Sequence, residues 1–237
     1  MSKAILTIDD APTKLTPKII DYLSAKGITP VINFIGCEVD KHFDEAVYVA
    51  KNGIVIGNHS FTHPNFSELE LSECRDEIEK TEHAIDGVYK AAGAEIAHRV
   101  FRFPYGDKGG AREAQIQKML RDEFGFERLD DSEVLFPYWK ENHLDTDINM
   151  HWSFDFLEYE LSWMNGFTWD TIVSRIHDSK PEMGSYLLDN SSVNIVLMHD
   201  MEETEAFLSG YYEKLIDYAL SQGVEFIKPR FVKPKPE

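Results

Sequence analysis

Three times along the chain a helical spacing of apolar residues gives way to a glycine and then to a short β-branched run. The first copy is Ile19 to Lys26, Gly27 and Val31-Ile32-Asn33-Phe34-Ile35. The second is Phe43 to Lys51, Gly53 and Ile54-Val55-Ile56, and the last is Tyr211 to Ser221, Gly223 and Val224-Glu225-Phe226-Ile227. A glycine just past a helix end supplies the left-handed cap that turns the chain back. Short strands alternating with helices of about ten residues specify βαβ units and parallel pairing. Further strands are expected at Ile5 to Ile8, Val100 to Phe103, Ile148 to Ser153 and Ile195 to Met198, and further helices at Ser72 to Ala91, Ala111 to Glu123 and Thr168 to His177. Seven strands in this alternation predict an α/β fold, a TIM-like barrel rather than an open sheet. The expectation is one domain over residues 1–237, with a frayed tail at 233–237. The charged and aromatic stretch Glu127 to Asp147 fits neither period and reads as a decorated βα connection at the rim, where loops of that length tend to be functional.

Composition narrows the partners. The chain has 237 residues and a formal net charge of −18, with 43% hydrophobic and 12% aromatic residues. That apolar content offsets the ordering entropy of a folded domain, and the acidic excess argues against nucleic-acid and anionic-membrane partners, which need Lys/Arg excess. Two cysteines, Cys37 and Cys74, make no disulfide framework and match no cysteine zinc motif. No apolar run approaches the roughly 20 residues of a membrane span. The first residues leave no room for a signal peptide, so the expected location is cytoplasmic.

In a parallel barrel, ligands meet the C-terminal ends of the strands. Here those ends carry Asp9-Asp10, Asn58-His59-Ser60-Phe61-Thr62-His63, Arg102-Phe103-Pro104-Tyr105-Gly106, Asp155 and His199-Asp200. Taken singly, paired aspartates after a strand are most often a turn or helix cap, and a lone histidine there is most often structural. Their joint placement points elsewhere. His59 and His63 are four apart, so one tight loop aims both imidazoles at one point, and a carboxylate from strand one completes a two-His, one-carboxylate face with open positions. One of Asp9 and Asp10 then binds the metal while the other takes a proton from water, whose pKa the metal lowers from 15.7 to about 7. His199 is a second proton carrier, suited to a leaving group. The set fits metal-assisted hydrolysis of an amide or ester.

The order Thr7-Ile8-Asp9-Asp10, His59-Ser60-x-x-His63, Arg102-x-Pro104-Tyr105 and Ile195-x-Leu197-x-His199 resembles the polysaccharide deacetylase family, the NodB-homology or carbohydrate esterase family 4 domain, from Ile5 to Ile227. The resemblance implies a distorted (β/α)7 barrel. It implies that Asp9 is the catalytic base, Asp10, His59 and His63 the metal ligands, Arg102 the residue orienting the base, and His199 the general acid. Tyr105 would donate its backbone N–H to the oxyanion, and Leu197 would wall the acetyl methyl. The implied cofactor is a divalent metal, zinc first, with Co2+, Mn2+, Ni2+ or Fe2+ as alternatives. Two positions depart from the pattern. Ala11 stands where glycine is usual, and Asp155-Phe156-Leu157-Glu158-Tyr159 replaces Asp-x-x-Asp-Trp, with Trp163 a candidate for the missing indole.

The leading expectation is therefore a metal-dependent deacetylase acting on an acetylated sugar, N-acetyl first. Asp155 and Glu158 would hold His199 protonated or Arg102 in place, and Trp139, Trp152, Trp163 and Trp169 would offer a stacking surface. A second reading keeps the metal and changes the substrate to a non-carbohydrate amide or cyclic amide. A third is a non-catalytic binding barrel. Substrate identity, native metal and oligomeric state stay open at this stage.

Overall fold

The computed structural model describes residues 1–234. In chain order the elements are β1 (Ser2–Ala11), α1 (Thr16–Ala25), β2 (Val31–Phe34), α2 (Gly36–Lys41), α3 (Phe43–Lys51), β3 (Val55–Asn58), α4 (Leu71–Ala92), α5 (Glu113–Asp122) and β4 (Arg128–Leu129). There follow α6 (Pro137–Glu141), β5 (Phe154–Asp155), α7 (Glu160–Trp163), α8 (Trp169–His177), β6 (Val193–His199), α9 (Glu202–Phe207), α10 (Tyr211–Ser221), β7 (Val224–Phe226) and β8 (Phe231–Val232).

The parallel sheet runs β3-β2-β1-β6-β5, with β7 pairing the start of β1. Beyond β3 the ring continues through single bridges, Asn58 to Phe101 and Val100 to Glu127, and through the Met150 N–H donated to the Phe101 carbonyl at 2.9 Å. This is the α/β barrel architecture read from the sequence, distorted on the side away from β1. Period-two alternation along β1 sorts its side chains. Ala4, Leu6 and Ile8 join the apolar layer beneath the helices, whereas Ile5 joins a second cluster with Val31, Val100 and Ile195. Thr7 and Asp9 therefore share the face of Ile5, and that face leads to the site.

Three expectations are corrected. Val100 to Phe103 supplies bridges, not a ladder. Ile148 to Ser153 is not a strand: the His151 N–H turns back on the Asn149 carbonyl at 3.0 Å and the Asn149 amide contacts the His151 ring, so local bonds displace the ladder. The pairing strand is Phe154–Asp155 instead. The Glu127–Asp147 stretch is not a rim decoration. Its Glu133 carbonyl receives the Val193 N–H, its Leu135 N–H goes to Ser192 Oγ, and Trp139 packs with Ile5, Val31 and Val193 near the strand starts. There β4 pairs antiparallel with β8, a strand the periodicity did not announce. Residues 235–237 of the tail expected to fray lie outside the described residues. No helix among the described residues is long and apolar enough to cross a membrane.

Candidate active site

A cavity of about 760 Å³ opens at the C-terminal ends of the strands, lined by Asp9, Asp10, His59, His63, Asp155 and His199 among others. Five of the six non-glycine residues with positive φ belong to the strand-end segments that build it: Asp10, Ser60, His63, Tyr105 and Leu157. Such backbone is costly and persists where the surroundings over-determine it, commonly at functional sites.

Asp9 is the last inward-facing residue of β1 and is 3% exposed. Its Oδ1 receives Arg102 Nη1–H at 2.8 Å and the Asn33 amide at 2.6 Å, while Oδ2 lies 3.5 Å from His59 Nε2. Burial alone would raise this carboxyl, but Arg102, His59, His199 and Asn33 outweigh it and hold Asp9 below the usual carboxylate range. Asn33 was not singled out from the sequence, although a polar residue inside the apolar run of β2 was a visible signal. It fits only because Gly57 lies beside it: a Cβ there would come within 2.1 Å of Asn33 Oδ1. Arg102 is fully buried, with Nε donating to the Met150 carbonyl at 2.5 Å, Nη1 also donating to Thr7 Oγ1, and the guanidinium over Trp152.

Asp10 would point away from Asp9 in a continued strand, but φ of 65° turns it toward the same cavity. Its Oδ1 is 3.5 Å from His63 Nε2 and 3.8 Å from His59 Nε2, and it is buried without a hydrogen-bond partner. His59 Nδ1 lies 2.8 Å from the Arg102 carbonyl, so Nδ1 carries the proton and Nε2 presents its lone pair. The two histidine Nε2 atoms are 3.2 Å apart. The loop between them is pinned by Glu77, which accepts the Phe61 and Thr62 N–H groups. Burial lowers the pKa of both imidazoles, which favours the neutral, ligating form. An orphaned carboxylate oxygen and two convergent imidazole Nε2 atoms, all within 4.8 Å, fit a single divalent cation.

His199 behaves oppositely. Glu158 is fully buried and its Oε1 accepts the His199 backbone N–H while lying 3.2 Å from Nδ1. Burial disfavours the imidazolium, but the Glu158 hydrogen bond and charge, then Asp155 and Asp10, raise His199 to about 10. Asp155 itself is raised to about 6 by burial and by Glu158, against the pull of His199. Of the two roles expected for these carboxylates, only the His199 contact is present; Arg102 is held by Thr7, Asp9 and Met150. Behind His199, the Asp200 N–H is donated to the Asp9 carbonyl at 2.9 Å, and its carboxylate accepts the Thr13 and Thr16 hydroxyls. This tie between the ends of β1 and β6 was also missed.

Tyr105 stands in a tight turn at φ 55°, with its ring edge-on to His63 at 4.5 Å. The Gly106 and Asp107 N–H groups are taken by the Phe103 and Pro104 carbonyls, leaving the Tyr105 N–H as the turn's uncommitted donor among the described residues. Leu197 is buried and lines the cavity. The four tryptophans part ways. Trp152 and Trp163 line the cavity, Trp139 is a core residue bonded to Asp131, and Trp169 packs on Tyr218 elsewhere. Trp163 is 67% exposed, its ring centroid 6.2 Å from that of Tyr159 in an edge-type contact, and the Tyr159 ring in turn meets His199 with centroids 4.8 Å apart.

Residues 2–121 match the family described as polysaccharide deacetylase. The chain is 34% identical over 107 residues to a peptidoglycan-N-acetylglucosamine deacetylase of Bacillus cereus, an alignment covering 45% of this chain and 37% of that protein. It is 30% identical over 102 residues to a chitooligosaccharide deacetylase of Bradyrhizobium sp., covering 43% and 45%. The chain thus spans less than half the length of these curated relatives. Among solved structures, the Bc1960 peptidoglycan N-acetylglucosamine deacetylase superposes with a TM-score of 0.65 at 23% identity, over 95% of this chain and 85% of that one. A carbohydrate esterase family 4 pseudoenzyme, BA3943 of Bacillus anthracis, superposes with a TM-score of 0.61 at 20% identity, over 95% and 64%. Both superpositions show the shared barrel.

Proposed function

Since the chain belongs to the polysaccharide deacetylase family, we propose that it is a metal-dependent hydrolase that removes the acetyl group from an N-acetylated sugar. The observation that carries this reading is the contrast within one cavity. Two neutral imidazoles converge beside an orphaned Asp10 oxygen and an ionised Asp9, while His199 is held protonated by Glu158. Asp10, His59 and His63 would hold the cation. Bound there, a divalent ion (zinc by its preference for imidazole and carboxylate donors) supplies Lewis acidity to water and to the acetyl carbonyl.

The chain's own residues do the rest. Asp9 Oδ1 is occupied by Arg102 and Asn33, which leaves Oδ2 to accept the proton of the attacking water. The Tyr105 N–H donates to the acetyl oxygen as that atom gains negative charge. His199, kept protonated on the other side, delivers its proton to the departing amine. Leu197 bounds the methyl group, and Trp163 and Trp152 offer faces to the sugar. Water adds to the acetyl carbon, the C–N bond breaks, and acetate and a free amine leave.

The test is acetate release from N-acetylglucosamine oligomers by the wild type and by Asp9→Asn, with bound metal measured in both. Turnover in the wild type and its loss by about a thousandfold in Asp9→Asn is the expected outcome. Full metal with no acetate from any acetylated sugar would move the substrate to a non-carbohydrate amide. No metal under any loading condition would make the barrel a binding module, as the family's pseudoenzyme precedent allows.

A further inference from the structure

Asp10 reaches the cavity because β1 falls out of step with its neighbours at its end. Against β2 the register runs from Ile8 with Ile32 to Ala11 with Phe34, so β1 advances three residues where β2 advances two. Against β6 the last pair is Asp9 with His199. An extra residue in one strand bends it and re-aims a side chain. Here the bend falls on Asp10, whose φ of 65° is held only where the surroundings over-determine it. Its Oδ1 is buried with no hydrogen-bond partner, so that atom does nothing to fix the side chain in place.

One residue reaches both sides of the bend. The Asp200 backbone N–H donates to the Asp9 carbonyl at 2.9 Å and so fixes the peptide that enters Asp10. Beyond the bend, Asp200 Oδ1 accepts the Thr13 hydroxyl at 2.7 Å and Oδ2 accepts the Thr16 hydroxyl. Those hydroxyls are committed in turn, because Thr13 Oγ1 accepts the Leu15 N–H at 3.0 Å and Thr16 Oγ1 accepts the Thr13 N–H at 2.8 Å. Each path runs from N–H to hydroxyl to carboxylate, and only a group with two accepting oxygens completes both. Asp200 is 2% exposed and lines the cavity, yet each of its oxygens already takes a hydroxyl. A further tie on this segment, from the Lys14 N–H to Glu202 Oε1 at 3.1 Å, is exposed to water. The backbone of His199 is anchored separately, its N–H by Glu158 and its carbonyl by the Tyr211 hydroxyl.

Resting on the deacetylase reading above, we infer that Asp200 is a positioning residue for the metal site: its carboxylate, through Thr13 and Thr16, holds the bend that presents Asp10 beside His59 and His63, and thereby sets the affinity for the cation. The side chain of Asp10 is then in place before the ion arrives, and binding does not have to order the turn.

The experiment measures the zinc dissociation constant of the metal-stripped full chain by competition with a chromophoric chelator, alongside thermal unfolding of the same metal-free samples. Asp200→Asn keeps the shape but turns one oxygen into a donor facing a hydroxyl whose proton points at it. Thr13→Val removes one hydroxyl at constant shape, and Thr13→Ser keeps it. Zinc affinity is expected to weaken by about tenfold to a hundredfold in Asp200→Asn, by a smaller factor in Thr13→Val, and hardly at all in Thr13→Ser. A merely structural role would lower the unfolding temperature of Asp200→Asn and leave its zinc affinity as in the wild type, which overturns the inference. Should Asp200→Asn fail to fold, the Thr13 pair decides: weaker binding by the valine variant than by the serine variant supports the inference, and equal affinities overturn it. A wild type with no measurable zinc affinity overturns it together with the metal-dependent reading. Zinc bound without acetate from any acetylated sugar sinks the deacetylase reading alone, and the affinity ratios still decide the role of Asp200.

Discussion

Two clusters of the same residue types meet at one groove and are driven to opposite protonation states. Asp10, His59 and His63 form one, and Asp155, Glu158 and His199 the other, each with its ligand atoms within 4.8 Å. In the first, both imidazoles are pushed down by burial, and the His59 Nδ1 proton is committed to a backbone carbonyl. In the second, a fully buried carboxylate sits directly on the imidazole and lifts it to about 10. Histidine and carboxylate composition alone therefore assigns no role. What decides is whether a carboxylate or a carbonyl meets Nδ1, and how many charges share the burial.

The largest expected effect comes from breaking the neutral cluster. His59→Ala removes one convergent lone pair and the tie to Arg102, and is expected to lose bound metal together with activity by about a thousandfold or more. Elemental analysis alongside acetate release checks this. His199→Ala should cost about a hundred- to ten-thousandfold in kcat while leaving metal content as in the wild type. Equal metal loss in both variants would erase the distinction between the clusters.

A smaller effect tests how the second cluster is tuned. Glu158→Gln removes the main group raising His199, so its pKa falls toward the ordinary value near 6.5. Activity that needs protonated His199 is expected to persist to about pH 10 in the wild type, and its alkaline limb should move down in the variant. For stability the sign follows the same shift. A folded pKa raised above the unfolded one contributes fully below about 6.5, and that contribution is lost as pH rises toward about 10. Thermal unfolding of the two proteins across that window should therefore converge from the acid side to the alkaline side. An alkaline limb at the same pH in both would detach Glu158 from His199.

The neutral cluster was the more legible from the sequence, and the reason is backbone regularity. Asp9 and Asp10 end a ten-residue strand whose alternation sorts inward from outward, and His59 and His63 follow a strand paired over four residues. In the second cluster His199 ends the seven-residue β6, but its carboxylates hang from β5, only two residues long, and from a turn in which Leu157 takes a positive φ. No periodicity says where Glu158 points. The role of Asn33 and the hydroxyl tie of Asp200 were missed because both are long-range, set by the Gly57 notch across a strand pair and by the Thr13 and Thr16 hydroxyls. The Glu127–Asp147 stretch was misplaced because its length is visible locally, whereas the packing of Trp139 at the strand starts is not.

The smallest effect concerns the aromatic that stands above the second cluster. Trp163 is too exposed for its ring to contribute much to core burial, so Trp163→Ala should fold with nearly wild-type stability. Its indole can act on the groove in two ways, by stacking on substrate or through the edge contacts that run from Trp163 to Tyr159 to His199. Stacking on a sugar face is worth a modest amount, so KM for oligomers should rise about three- to tenfold while kcat and the alkaline limb stay in place. Action through Tyr159 would leave a different trace, a displaced limb at unchanged KM, because it would alter the burial of His199. The geometry favours the first outcome: Glu158 contacts His199 at both its backbone N–H and Nδ1, whereas Trp163 reaches it only through a second ring. The protonation state of His199 should therefore be indifferent to the indole that shapes the groove above it.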